Sequence, residues 1–315
     1  MLEKIISNIV FTKNRPLQMH SYLLSLYKSL PENFIQTYII YKKDLFDRQY
    51  QQLFEKYPNC VVIYEKNFHD DLVNLINSLT SKYVLFGTDD VVLFDSIDLN
   101  IINETFESSP NDILGFSLRL SLEYAKSSPD KVEEVKAAGQ TVYKVNWKKS
   151  RTANLKYPFE VDATIYKTEL VKKIINAIAK EHRLLKKIFD PDSLRIRTLK
   201  KVISMKNFLA SLETFYNPNT LETLGYRWCK NHKNKIPDYL FFKKICAIAL
   251  QINTVNAVKE IDIEKHSIKS KSGSNIEELN EMYKQGFLVD IDHIAQLKPI
   301  LALCNDEFFK LKKQK

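Results

Sequence analysis

The sequence predicts an α/β protein built on a mostly parallel, Rossmann-like central sheet flanked by helices, with a helical C-terminal part. Three observations point there. Within the first 90 residues, four short apolar, β-branched runs alternate with three helix-like stretches. The runs are apolar throughout rather than alternating, as expected of parallel strands covered on both faces. Polar clusters at residues 12–15 and 88–90 end two of these runs, where open α/β sheets bind ligands.

Taken in order, residues 5–12 (IISNIVFT) read as a buried strand bounded by Lys13-Asn14-Arg15-Pro16. Leu17, Tyr22, Leu23, Leu26, Tyr27 and Leu30 recur near the 3.6-residue period, so a helix follows, and Pro31 stops it. Residues 34–41 form the second strand, 46–57 an amphipathic helix and 60–64 the third strand. Residues 70–79 form a helix with acids in its first turn, where the macrodipole favours them. Residues 82–87 (KYVLFG) form a fourth strand that ends at Thr88-Asp89-Asp90.

Beyond residue 110 the pattern loosens. Residues 112–120, 141–147 and 159–166 are strand-like, and 123–140 read as a polar, irregular insertion or flap. Residues 170–189 and 199–214 look helical and basic. An apolar helix is expected at 239–250, then a strand-like stretch at 252–258 and a Ser/Gly/Lys-rich loop at 266–276. A short helix at 276–283 and a last one near 294–310, broken or started by Pro299, complete the chain. No internal repeat is present.

Composition narrows the class. A chain of 315 residues suggests one large domain, or one domain with an appendage. Six Gly and ten Pro exclude collagen-like and linker-like architectures. No apolar run reaches the 18 residues of a membrane span, and the N-terminus shows no secretory pattern, so a cytoplasmic or membrane-peripheral protein is expected. The four cysteines are scattered and the six histidines form no HxxxH or HxH pair. A disulfide scaffold and a zinc site are therefore disfavoured, and free thiols in a reducing compartment are expected.

Charge is unevenly placed. Residues 1–100 carry ten Lys/Arg against twelve Asp/Glu, whereas residues 142–206 carry seventeen against six. The basic stretch holds more than the whole chain's excess of +9. It suits a polyanion, or contact with an anionic membrane, as well as a plainly solvated surface. Nucleic acid is disfavoured, because the stretch lacks the interleaved aromatics of single-strand binders.

Thr88-Asp89-Asp90 carries the most chemistry. The two carboxylates sit between the apolar runs 83–87 and 91–94, which is unfavourable unless something pairs them. A divalent cation, Mn²⁺ or Mg²⁺, is the simplest partner, since it favours carboxylate oxygens plus substrate phosphates. A turn is the alternative. Neither GxxxxGK[ST] nor GxGxxG occurs, so P-loop and dinucleotide chemistry are disfavoured.

These features resemble the nucleotide-sugar-binding half of GT-A-fold glycosyltransferases, and more closely bacterial proteins of the family 2 type. The matching residues are Val10-Phe11-Thr12-Lys13-Asn14-Arg15-Pro16-Leu17-Gln18, the Thr88-Asp89-Asp90 motif and Phe116-Ser117-Leu118-Arg119-Leu120. Further on they are Tyr157-Pro158 with Val161-Asp162, and Asn217-Pro218-Asn219-Thr220-Leu221-Glu222. The resemblance implies a catalytic domain over 1–260, with a nucleotide-sugar half at 1–110 and an acceptor half at 111–260. Residues 261–315 are left as a helical extension. It implies a nucleotide-diphosphate sugar as donor, a glycan or lipid-linked acceptor, a role in polysaccharide assembly, and metal assistance. Thr12 and Arg15 would line the nucleotide pocket, Asp89 would face the ribose and Asp90 would hold the metal. The chain departs from many relatives at Val91, where they carry a third acid.

Several positions keep two readings. Arg15 is a diphosphate or base partner, or pairs with a carboxylate or a helix end. Asp162, among Phe159, Val161 and Ile165, is the candidate general base or a strand-edge aspartate; Glu213 and Glu222 are its rivals. Arg119 contacts phosphate or closes an ion pair. Asn219-x-x-Glu222 is a capping box or a substrate contact. Trp147 and Trp228 are a sugar platform or core. Competing functions are a nucleotidyl- or phosphoryl-handling enzyme on a similar sheet, and a degenerate nucleotide-sugar-binding or polyanion-binding protein.

Overall fold

The expected alternation of strand and helix builds the sheet that carries the site. The structure is a computed structural model, and it describes residues 4–108, 113–127, 130–188, 215–250, 252, 276–300, 303–304 and 306–314. The first half runs β1 (Ile6–Thr12), α1 (Pro16–Ser29), β2 (Ile35–Tyr41), α2 (Asp47–Lys56), β3 (Val61–Tyr64), α3 (Phe68–Ser78), β4 (Tyr83–Thr88), β5 (Val91–Leu93) and α4 (Leu99–Ser108). Then come β6 (Ile113–Ser117), α5 (Leu122–Lys126), β7 (Val132–Ala137), β8 (Gln140–Val145), β9 (Thr164–Lys167), α6 (Thr168–Ile188), α7 (Pro218–Asn231), β10 (Asp238–Phe241) and β11 (Ala247–Leu250). The chain ends with α8 (Ile276–Lys284), β12 (Phe287–Val289), α9 (Ile291–Leu297), β13 (Leu303–Cys304) and β14 (Leu311–Lys313).

Nine strands form the main sheet in the order β3-β2-β1-β4-β9-β6-β10-β8-β7. Only β9 and β8 run against the other seven. Both faces of β1 are covered, which explains its unbroken apolar run. Ile6 and Val10 pack with Met19, Tyr22, Leu23 and Leu26 of α1. Ile9 and Phe11 pack with Leu72, Leu75 and Ile76 of α3 on the other face. Asn8, a polar side chain beneath α1, is matched: the Tyr22 hydroxyl donates to its Oδ1 at 2.6 Å.

A second sheet, β13-β11-β5, takes over where β4 ends. The two carboxylates of Asp89 and Asp90 thus occupy the crossing from one sheet to the next, which is why apolar residues flank them on both sides. Val91 lies in β5 opposite Ala249, fully buried. The C-terminal elements close over α1: Val289 N donates to Ser21 Oγ at 3.1 Å, and Lys28 pairs with Asp292 at 2.6 Å. Leu17 of α1 joins Leu279, Val289, Ile291 and Ile294 in one apolar cluster.

The structure corrects several expectations. Residues 239–250 are two strands, β10 and β11, separated by Lys243-Lys244, not a helix. Two buried four-residue runs look helical in sequence because apolar continuity does not distinguish the two states. The irregular insertion at 123–140 is α5 followed by a hairpin of β7 and β8. Ala138 (φ +47°) and Gly139 (φ +73°) make its two-residue turn, the left-handed pair such hairpins favour. The last helix does not run to residue 310. It starts after Asp290, whose Oδ1 accepts from His293 N, and ends at Leu297; Lys298 turns left-handed and Pro299 blocks continuation. β12 and β14 then pair as antiparallel strands, so the C-terminal part is mixed rather than helical. Helix α4 is an element the sequence pattern does not predict; Asp98 Oδ1 accepts from the Asn100 and Ile101 amides at its start. The expected helix at 199–214, most of the stretch 252–258 and nearly all of the 266–276 loop lie outside the described residues. Among the described residues, no helix is long and apolar enough to cross a membrane.

Candidate functional site

Register gathers the polar residues on one edge of the sheet. Phe11 of β1 is level with Thr88 of β4, and Phe86 of β4 with Thr164 of β9. Ser117 of β6 is level with the same Thr164. Because β9 runs against its neighbours, its first residues meet the carboxyl ends of β4 and β6. Asp162, two residues before Thr164, therefore falls beside Thr88, two residues after Phe86. The Thr88 hydroxyl donates to Asp162 Oδ1 at 2.5 Å. Ala163 makes this corner with φ +54°, a costly conformation for a residue with a Cβ. Two bonds hold it: Ala163 N to Phe86 O at 2.9 Å, and Leu118 N to Ala163 O at 3.0 Å.

Two arginine–carboxylate groups stand on this edge. In the first, Arg15 Nη1 lies 2.9 Å from Asp89 Oδ1 and 3.3 Å from Asp90 Oδ2. Thr12 Oγ1 donates to Asp89 Oδ2 at 2.8 Å, and so accepts from Tyr50 OH at 2.6 Å; that phenol oxygen accepts from Arg15 N at 2.9 Å. Asn14, left-handed at φ +56°, bends the chain from β1 into α1 and is tied to the next loop through Asp44 and the Leu45 amide. Asparagine tolerates that conformation better than most side chains. Burial raises the Asp89 carboxyl to about 6, with Asp90 adding to the rise and Arg15 opposing it.

In the second group, Arg119 Nη1 reaches Asp162 Oδ2 at 3.0 Å and Glu160 Oε2 at 3.3 Å. Glu160 also accepts from the Thr164 and Ser117 hydroxyls. Burial raises the Asp162 and Glu160 carboxyls, and Arg119 opposes it. Glu222 comes in from α7 beside Tyr157, whose ring stacks on Tyr226 at 4.7 Å. Helix α7 can approach because Gly225 leaves room for the Phe159 ring, which a Cβ there would meet at 2.2 Å. Burial, then Asp162, push Glu222 up to about 8.

That shift has a measurable sign. Between about 4.5 and 8, folded Glu222 keeps a proton that the unfolded chain has lost. Its contribution is fully present below 4.5 and is lost as pH rises towards 8. Glu222→Gln should therefore gain stability over wild type with rising pH, reaching about 1–3 kcal/mol by pH 8. Urea melts of both proteins at pH 5 and pH 8 check this.

The structure thus brings together Thr12, Arg15, Asp89, Asp90, Arg119, Asp162 and Glu222. Glu213 lies outside the described residues. Thr12 is buried and spends its hydroxyl on Asp89 and Tyr50. Trp147 and Trp228 are core: Trp147 bonds Pro237 O and Trp228 stacks on His232. Neither is a sugar platform. The cap of α7 is Asn217, paired with Thr220, and Pro218 is the first helical residue. The expected Asn219–Glu222 box does not form, which frees Glu222 for the site. Sequence reasoning missed Glu160, Tyr50 and Tyr226. Only the spacing Glu160-x-Asp162, which sets both side chains on one side of an extended chain, signalled the first.

No family model matches the chain. Over 243 residues it is 24% identical to the bifunctional glycosyltransferase pgtA of Dictyostelium discoideum, an alignment covering 69% of this chain and 32% of that protein. The chain spans about a third of the length of this curated relative. Among solved structures it is similar to residues 1–349 of S. aureus TarS in complex with UDP, at 20% identity and TM-score 0.39, over 55% of this chain and 49% of that one. It is also similar to the mannosyltransferase PcManGT from Pyrobaculum calidifontis in complex with GDP-Man and Mn²⁺, at 13% identity and TM-score 0.29, over 37% and 39%. In sequence, this α/β chain is similar to a glycosyltransferase over more than two thirds of its length.

Proposed function

We propose that the chain transfers a sugar from a nucleotide-diphosphate donor to a glycan or lipid-linked acceptor. The observation that carries this reading is the meeting of two arginine–carboxylate groups at the carboxyl edge of β1, β4 and β6. The similarity to pgtA supports it. In such sheets the crevice beyond the carboxyl ends takes the nucleotide. Thr12, Arg15 and Asp89 border the donor side, and Asp162, Arg119 and Glu222 the acceptor side.

The roles follow from protonation. Asp162 accepts from Thr88 and Arg119, which favours its ionised form against burial. Glu222, raised to about 8, keeps its proton near neutral pH. Asp162 is therefore the group that takes the acceptor hydroxyl's proton, and Glu222 is a hydrogen-bond donor to the acceptor. Arg119 holds Glu160 and Asp162 apart from one another's repulsion and fixes the base.

A divalent cation fits in a limited way. Among the described residues, no group of three or more His, Cys, Asp or Glu could hold a metal ion. Asp90 would hold it through one carboxylate oxygen, with diphosphate oxygens completing the shell, as Mg²⁺ and Mn²⁺ accept. Bound there, it would neutralise charge on the leaving diphosphate. A lipid-borne acceptor would place the chain at an anionic membrane surface on the cytoplasmic side. Lys173 and Lys180, exposed on α6, belong to the basic stretch that would meet it.

A thermal-shift panel of UDP, GDP, CDP, dTDP and their sugars, with and without Mn²⁺, tests the donor. Ligand at a hundred times its dissociation constant adds about 2.7 kcal/mol. A shift for one nucleotide, lost in Asp90→Ala when metal is present, supports the reading; a flat panel contradicts it.

A further inference from the structure

We propose that Arg15 gates the cation position: until a diphosphate arrives, its guanidinium serves as the counter-charge of Asp89 and Asp90 and keeps a divalent ion off Asp90. The gate rests on the nucleotide-sugar reading only for the identity of the anion that opens it.

One nitrogen, Arg15 Nη1, spans both carboxylates, at 2.9 Å and 3.3 Å. The Arg15, Asp89 and Asp90 side chains are only 11%, 6% and 22% exposed, so water screens these charges weakly. Both Asp89 oxygens are already engaged: Oδ1 accepts from Arg15, while Oδ2 accepts from Thr12 and the Lys13 amide. Val91, where a third acid would extend the set, is core. A divalent ion at Asp90 would therefore face a fixed positive charge within a few ångströms.

An arginine does not lose its proton in this range, so the gate opens by movement, not titration. Guanidinium binds phosphate in the same two-pronged way as carboxylate, so an arriving diphosphate offers Arg15 an equal partner. The diphosphate then brings the oxygens that complete the cation's shell. Cation and nucleotide should bind together, each raising the other's affinity by the same factor.

The test is Mn²⁺ binding to the full chain, read as loss of the free-ion EPR signal, first with no nucleotide. Arg15→Gln should bind Mn²⁺ at least about tenfold more tightly than wild type, because one unscreened positive charge is gone. Arg15→Gln/Asp90→Asn should lose that gain. Equal affinity in wild type and Arg15→Gln, or a gain that survives the second substitution, overturns the gate. A thermal melt shows whether Arg15→Gln folds. If it does not, Arg15→Lys replaces it, since one ammonium on a shorter reach holds the two carboxylates less well. A gain of about threefold supports the gate and no gain overturns it. In a second arm, whichever of UDP, GDP, CDP or dTDP binds should raise wild-type Mn²⁺ affinity towards that of Arg15→Gln. A bound nucleotide that leaves Mn²⁺ affinity unchanged also overturns the gate. If no nucleotide binds, the nucleotide-sugar reading fails, while the metal-alone comparison still decides the gate.

Discussion

Asp162→Asn should lower sugar transfer by about 10²–10⁴-fold, the usual worth of a positioned general base, while leaving the chain folded and able to bind nucleotide. The fold survives because asparagine can satisfy both present partners. Its Oδ1 accepts from Arg119 Nη1, and its Nδ2 donates to Thr88 Oγ1, a hydroxyl that accepts as readily as it donates. What is lost is a site able to take a proton. A second readout separates this from loose packing. Asp162 is the main charge, after burial, that raises Glu222, so Glu222 should titrate lower in the variant. Transfer rates, nucleotide binding and a Glu222 titration on the same samples check the three parts together.

Arg119→Met should be the most destabilising single change at the site, by about 3–5 kcal/mol. Methionine fills much of the same space but leaves Glu160 and Asp162 without their cation. Both carboxyls are already raised by burial, and Arg119 is what opposes that rise. Without it they rise further and hold protons to higher pH in the folded state. The folded chain then binds more protons than the unfolded one over a wider window, so stability falls more steeply as pH rises. The deficit relative to wild type should be larger at pH 8 than at pH 5. Denaturant melts at those two values measure it, and an equal deficit at both would argue that only packing was lost.

Most of the residues gathered at this site were legible in the sequence, but not the contacts among them. Asp89 and Asp90 stood out because two charges between buried apolar runs need a partner. That partner was read as a cation. In the structure Arg15, 74 positions before Asp89, fills the role; pairing with a carboxylate was one of its two readings, but no local pattern encodes which carboxylate across that separation. The Arg119 group was harder still. It depends on β9 inserting against the direction of β4 and β6, so that Asp162 meets their carboxyl ends. Strand direction leaves no mark in an apolar run, whereas the parallel set β1 to β4 was legible from its apolar runs alternating with helices: β1, β2 and β4 are largely buried, while β3, at the sheet edge, exposes Val61 and Tyr64. The two lysines between β10 and β11 were the available sign that residues 239–250 were two strands. Of the two readings of Glu222, the cap fails, because it belongs to Asn217, and its place beside Asp162 comes from the close approach of α7 at Gly225.

The most direct test of the central claim is the product released from a sugar nucleotide. The chain is incubated with the donor chosen by the thermal-shift panel, with Mn²⁺ and a glycan acceptor, and the nucleotide product is resolved by anion-exchange chromatography. Glycosyl transfer predicts a free nucleoside diphosphate, formed by wild type and sharply reduced in Asp162→Asn. Release of pyrophosphate or nucleoside monophosphate, or equal turnover in the two proteins, would contradict it.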